Sequence, residues 1–140
     1  MDKKTESSAR NESLCPCKST RAYGECCGPY HSNKKKPETA EQLMRSRYSA
    51  YFFRKYNYLV ETTHPDSRSN DLKKSISKAN TGVGWSFLKV LGTSKGGRND
   101  KSGKVEFVAE YYVNGEIFEM HECSRFRKFQ STWKYLDDRG

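Results

Sequence analysis

Four cysteines fall within thirteen residues, at Cys15, Cys17, Cys26 and Cys27, in the spacing Cys-x-Cys-x₈-Cys-Cys. Four thiolates complete the tetrahedral shell of a soft or borderline ion and leave no open position, so this pattern points to structural zinc binding. Pro16 stiffens the first pair. Adjacent Cys26 and Cys27 reach one ion only if the backbone turns sharply, and Gly24 and Gly28 bracket them with residues that permit such a turn. Lys18 and Arg21 lie in the intervening loop, where positive charge offsets a centre of about −2. His31, four residues on, is a substitute for one thiolate. Disulfide or redox chemistry and chance clustering are the competing readings. The start Met1-Asp2-Lys3-Lys4 has no apolar signal core. A reducing cytoplasmic compartment is therefore expected, and it disfavours disulfides.

The module that carries these thiols is too short to bury a core and must be shaped by its metal. The remainder of the 140 residues suffices for one ordinary domain. Hydrophobic content of 34% and a mean hydropathy of −1.01 are low, but nine Tyr, seven Phe and two Trp predict an aromatic-rich core. No run approaches the roughly 20 apolar residues of a membrane-spanning helix. A formal net charge of +9 attracts acidic partners: RNA, a ribosome surface, an acidic protein or lipid headgroups. Lys34-Lys35-Lys36 is the tight basic cluster, read either as a binding patch or as a solvated linker.

Residues 1–13 are polar without periodicity and are expected to be a disordered tail. Residues 14–31 form the cysteine module and 32–37 a linker, leaving 38–140 as the main domain. Thr39 with Gln42 is a capping box that opens a helix of about 15 residues. Leu43, Met44, Tyr48 and Tyr51 give it an apolar face, with Glu41, Arg45 and Ser49 opposite. Tyr56–Thr63 reads as a second helix, halted by His64-Pro65, and Asn70–Ala79 as a third. Beyond Thr81 the pattern alternates. A strand is expected over Trp85–Leu91, a polar loop over Thr93–Gly103, and two strands, Val105–Val113 and Glu116–Phe126, around Asn114-Gly115, the strongest type I′ hairpin signal. A last strand covers Trp133–Leu136. Helices first and an antiparallel sheet afterwards is an α+β order.

The two-residue turn pairs Val113 with Glu116, Tyr111 with Phe118, Ala109 with Met120 and Phe107 with Glu122. One face then collects Phe107, Tyr111, Phe118, Met120 and Phe126, and Glu122 and Ser124 project from that same apolar surface. A carboxylate there needs a partner or a shifted pKa. Glu122 is the candidate general acid or base; its structural alternative is a bond to Ser124, Tyr48 or Arg47. His121, Arg125, Tyr112, Glu110 and Glu119 take the opposite, solvated face. Lone Cys123 reads as inert, and His64 as a capping or packing residue.

Cys15-Pro16-Cys17 followed by Cys26-Cys27-Gly28-Pro29-Tyr30-His31 resembles a SEC-C zinc motif, the module also found at the tail of the SecA translocation ATPase. Thr39-Ala40-Glu41-Gln42-Leu43-Met44-Arg45-Ser46-Arg47-Tyr48-Ser49-Ala50-Tyr51, Tyr58-Leu59, Thr63-His64-Pro65 and His121-Glu122 with Ser124 and Phe126 resemble the YchJ-like family of bacterial proteins. The resemblance spans Leu14 to Asp138. It implies a nuclear transport factor 2-like (NTF2-like) domain, a cone of curved antiparallel sheet closed by N-terminal helices. It also implies zinc-dependent docking, since SecA's tail contacts the SecB chaperone and the ribosome. One departure stands out: SEC-C motifs commonly carry Gly-Ser-Gly after the second cysteine, and here the residues are Lys18-Ser19-Thr20. The reading is thus a cytoplasmic zinc protein that docks a protein partner on a scaffold or small-ligand cone. An isomerase- or dehydratase-like enzyme using Glu122, and a ribosome- or RNA-associated protein, are the alternatives, with pairing into a homodimer open.

Overall fold

The computed structural model describes residues 13–140. The expected disordered tail lies outside the described residues except for Ser13, whose carbonyl accepts from the Tyr23 amide at 3.1 Å. After a short 3-10 turn at Tyr23–Glu25 come helices α1 (Gly28–His31), α2 (Ala40–Phe53), α3 (Tyr56–Glu61) and α4 (Leu72–Ala79). Strands β1 (Gly84–Lys95), β2 (Ser102–Val113), β3 (Glu116–Phe129) and β4 (Thr132–Asp137) follow. They form one antiparallel meander in the order β1-β2-β3-β4. The α+β order is as expected. Among the described residues no helix is long and apolar enough to cross a membrane.

The box that opens α2 closes reciprocally. Thr39 Oγ1 accepts from the Gln42 amide at 3.1 Å, and Gln42 Oε1 accepts from the Glu38 amide at 2.7 Å. The helix ends where Arg54 adopts a left-handed conformation with φ 60. Asn114 and Gly115, with φ 52 and 83, make the hairpin turn, and all four expected pairs from Val113↔Glu116 to Phe107↔Glu122 are formed without a bulge. Gln130 and Ser131, with φ 52 and 67, make the second tight turn.

The first hairpin is longer than the alternation suggested. Paired strand runs on to Lys95 and resumes at Ser102, so of the polar stretch expected as loop only residues 96–101 lie outside the strands. Bulges between Trp85 and Phe87 and between Val90 and Gly92 interrupt the period there. Gly96, with φ +80, lets this hairpin pass over the start of α2: a Cβ at that position would sit 2.8 Å from Ala40 Cβ. Its carbonyl accepts from the Ala40 amide at 2.9 Å.

The core lies between α2 and the inner sheet face, where Leu43, Ala50, Leu88, Val105, Ala109, Phe126 and Trp133 are buried. Phe118 shares that face but is 41% exposed, because the hairpin tip extends past the helices and leaves it stacked only on Tyr111. On the outer face His121 Nε2 lies 2.7 Å from Glu106 Oε2 in an exposed pair. The segment after α3 joins the edge of β4: Tyr135 N donates to Thr62 O at 2.7 Å and His64 N to Tyr135 O at 2.8 Å. His64 is buried and its Nδ1 accepts from the Asp66 amide at 3.0 Å, a capping role.

Candidate metal centre and neighbouring cavities

Residues 14–23 form a small knuckle, with Leu14 bridged to Ala22 and Cys15 N donating to Arg21 O at 2.8 Å. The second pair sits at the entry to α1, where Cys27 is the N-cap residue. The sharp turn between the adjacent cysteines is made by Cys26 itself, whose φ −124 and ψ −97 lie outside the helical and extended basins. Gly28 is required for a different reason: a Cβ there would meet Tyr23 O at 2.8 Å.

All four sulfurs lie within 4.8 Å of one another. Cys17 Sγ is 3.6 Å and Cys27 Sγ 3.9 Å from Cys26 Sγ. A tetrahedral ion with metal–sulfur bonds of about 2.3 Å needs edges of about 3.8 Å. The arrangement therefore fits, and the five cysteines are all free thiols. Cys15, Cys17 and Cys27 are buried and Cys26 is partly exposed. With four protein ligands and three of them sealed, such a site is closed to substrate. A hydrogen bond from the Cys17 thiol, then one from Cys27, holds Cys15 far below the usual thiol range. Keeping its proton for Cys15 pushes Cys17 up to about 11, and the same demand drives Cys27 higher still. Four ionised sulfurs therefore require a cation among them.

His31 stands outside this group. Its Nε2 donates to Ser46 O at 2.8 Å, so its Nδ1 accepts from the Tyr23 hydroxyl at 2.6 Å. Burial pushes its pKa below the usual histidine value and keeps the ring neutral. Both nitrogens are thereby committed to the scaffold.

The face of α2 read as solvent-facing is the one that receives the knuckle. Arg45 Nη1 donates to Cys17 O at 2.6 Å while its Nε pairs with Glu41 at 3.0 Å. Ser49 is fully buried with Oγ 3.4 Å from Cys15 Sγ. The i, i+4 stripe Glu41, Arg45, Ser49 is thus a docking seam, and the cation bonded to the knuckle is Arg45. Lys18 and Arg21 are both exposed.

The missing glycines leave a mark. Lys18 and Thr20 adopt φ 66 and 72, the left-handed region in which an L-residue costs about 1–2 kcal/mol. Glycine would remove that cost and add roughly 0.5–1 kcal/mol of backbone entropy loss. Thr20→Gly is expected to raise the urea midpoint of the metal-loaded protein, by about 0.5–1 kcal/mol of stability. An unchanged or lower midpoint would show that the bond from Thr20 Oγ1 to Ser19 O outweighs the backbone term.

A cavity of about 230 Å³ lies between α2 and the inner sheet face. Glu122, Ser124, Tyr48 and Arg47 all line it, as the pairing predicted for the first two. Glu122 makes none of the bonds expected of a structural carboxylate: among the described residues it has no hydrogen bond to Ser124, Tyr48 or Arg47. Arg47 reaches elsewhere, its Nη1 donating to Leu59 O at 2.8 Å, Thr62 Oγ1 at 2.7 Å and Thr63 Oγ1 at 3.3 Å. Its guanidinium also lies 4.5 Å from the Tyr135 ring centre. Burial, with a smaller push from Asp138, raises the Glu122 pKa above the usual carboxylate range. Sequence reasoning did not foresee Arg47's role at the α3 end, since nothing local marks where a guanidinium will reach.

Lys34, Lys35 and Lys36 are exposed after α1, with Lys36 Nζ on Asn33 Oδ1 at 2.7 Å. Lys35 and Lys36, but not Lys34, line a second cavity, of about 520 Å³.

Residues 39–138 match the family described as YchJ, middle NTF2-like domain. A UPF0225 protein of Geobacter sulfurreducens is 39% identical over 127 residues, covering 91% of this chain and 79% of its own. One of Ralstonia nicotianae is 40% identical over 131 residues, covering 88% of each. Among solved structures, a SEC-C motif protein from Rhodopseudomonas palustris superposes with a TM-score of 0.79 at 35% identity, over 88% of this chain and 94% of that one. Another, from Psychrobacter arcticus, gives 0.73 at 31%, over 89% and 81%. With the sulfur cluster and the helix-covered meander in place, the chain belongs to the YchJ-like family of UPF0225 proteins, an NTF2-like domain preceded by a SEC-C cysteine motif.

Proposed function

We propose that zinc on the four thiolates clips the knuckle to α2, and that the composite face so formed docks a protein partner through an acidic, apolar segment. The observation that carries this reading is a groove of about 590 Å³ shared by the two parts of the chain. Leu14 from the knuckle and Phe52 and Phe53 from the end of α2 line it while remaining 66%, 43% and 41% exposed. Large apolar side chains gathered in one exposed patch mark an interaction surface. Lys18 is the charged side chain among the lining residues, and the net charge of +9 favours an acidic occupant. Zinc matters because Leu14 and Pro16 hold their places only while Cys15 and Cys17 are fixed. Thiolate ligation suits a reducing cytoplasm.

The test compares proteins retained from native lysate by the wild type, by Phe52→Ser/Phe53→Ser and by Cys26→Ser/Cys27→Ser. Binding of the recovered acidic partner is then repeated with purified components. A partner lost from both variants supports the reading; one retained by a folded Phe52→Ser/Phe53→Ser protein overturns it. The cavity around Glu122 supports a second reading, a small-ligand or acid–base site. A carboxyl whose pKa is raised by burial, facing an apolar cavity, is a group suited to proton transfer.

A further inference from the structure

The cavity of about 520 Å³ bounded by the segment after α1, the α2–α3 turn, α3, α4 and the start of β4 is lined by cations from four separate places in the chain. Lys35 and Lys36 come from the segment after α1, Arg54 and Lys55 from the turn between α2 and α3, Lys73 from α4 and Lys134 from β4. Glu61 is the one carboxylate among the lining residues. None of the six cations makes an ion pair among the described residues. Three are instead held in place by neutral oxygens. Lys134 Nζ donates to Glu61 O at 2.7 Å, Lys36 Nζ to Asn33 Oδ1 at 2.7 Å, and Arg54 to Asn80 O and Val83 O, each at 2.9 Å. The scaffold therefore orients these charges without neutralising them.

Like charges converging on one concavity repel, so the arrangement opposes folding unless an anion enters. Burial, together with Arg68 and Lys36, already pushes the Lys134 pKa below its usual value. A lone phosphate would not use the rest of the lining. Tyr30, Tyr56 and Tyr58, all partly exposed, interleave with the cations and give the cavity aromatic surface on which a planar ring can stack. Its volume lies in the range of small-molecule sites. We infer that this cleft binds a nucleotide, its phosphates set among Lys35, Lys36, Lys73 and Lys134 and its base against the tyrosine rings. The shared chemistry is a phosphorylated base, supplied either by a free nucleotide or by the end of an RNA chain. This site is separate from the docking groove, and either can fail without the other.

The test is titration of the zinc-loaded full chain, followed by amide NMR shifts and calorimetry, with ADP, adenosine, inorganic pyrophosphate and a ten-nucleotide oligouridylate. ADP is expected to saturate, to shift residues around Lys35, Tyr56 and Lys134, to be displaced by pyrophosphate and to bind about 10-fold tighter than adenosine. Lys35→Gln/Lys73→Gln alters two exposed side chains and should weaken ADP about 10-fold. Lys89→Gln/Lys104→Gln, which removes the same charge from the sheet strands, should leave it unchanged. The oligouridylate bound through the Lys35 and Lys73 positions while ADP is not would identify an RNA end as the source. Adenosine binding as tightly as ADP, equal losses in both double variants, or no saturable binding by any probe would each overturn the inference.

Discussion

Cys17→Ser is expected to purify with far less than one metal ion per chain and to melt about 10–20 °C below the wild type. Cys17 Sγ is fully buried and 3.6 Å from Cys26 Sγ, so a serine there offers a neutral hydroxyl where a thiolate completes the tetrahedron. Structural zinc contributes about 10–16 kcal/mol to folding in small isolated zinc peptides. Here only part of that reaches the main domain, through the seam with α2. A loss of about 3–5 kcal/mol corresponds to the stated melting shift for a chain of this size. The damage should be local first. With the knuckle released, the bonds from Arg45 to Cys17 O and between Ser49 Oγ and Cys15 Sγ are lost, and amide exchange should rise along Ser46–Ser49 before it rises in the hairpin. Chelating the metal from wild type should reproduce both effects. Full metal occupancy in Cys17→Ser, or a melting temperature indifferent to chelator, would refute the clip.

Trp133→Ala carries the other large effect, a loss of about 3–5 kcal/mol in urea denaturation. Trp133 is 1% exposed near the start of the last strand. Its Nε1 donates to Glu38 O at 3.1 Å, and the Lys128 ammonium lies 5.2 Å from its ring centre. Glu38 is also the residue whose amide is taken by Gln42 at the start of α2. The indole therefore couples the end of the sheet to the beginning of the helix. Trp133→Phe separates the two contributions: it keeps most of the buried ring and leaves the Glu38 carbonyl unpaired, for a loss of about 1–2 kcal/mol. Equal losses in the two variants would assign the whole effect to the hydrogen bond. No loss in Trp133→Ala would mean that β4 is not part of the cooperative core.

The parts of this molecule legible along the chain are those set by neighbours in sequence. Asn114-Gly115 dictates a type I′ turn, and with a period of two residues that turn alone settles every pair down to Phe107↔Glu122. Thr39 and Gln42 mark the start of α2 because unsatisfied amides at a helix end call for those side chains. The cysteine spacing announces a four-sulfur cluster because few other arrangements justify four thiols in thirteen polar residues. Strand parity puts Glu122 on the inner face, opposite Phe107.

Tertiary structure decided which surfaces meet. Glu41, Arg45 and Ser49 read as a polar, outward face, yet the knuckle covers it, since a short module with no core of its own has little else to pack against. Phe118 read as core, yet it protrudes because the hairpin outruns the helices that would cover it. His31 was eligible as a ligand by type and spacing, and only the approach of Ser46 and Tyr23 committed its two nitrogens. Arg47 reached past Glu122 to Leu59 and the threonines beyond it. The basic cleft gathers Lys35, Lys73 and Lys134, which are far apart in sequence and carry no pattern. Local rules act over the few residues that share a turn, a cap or a strand pair, so they are written in the sequence itself. Charge clusters, seams and cavities depend on which distant segments pack together, and that is settled only when the whole chain minimises its exposed apolar surface.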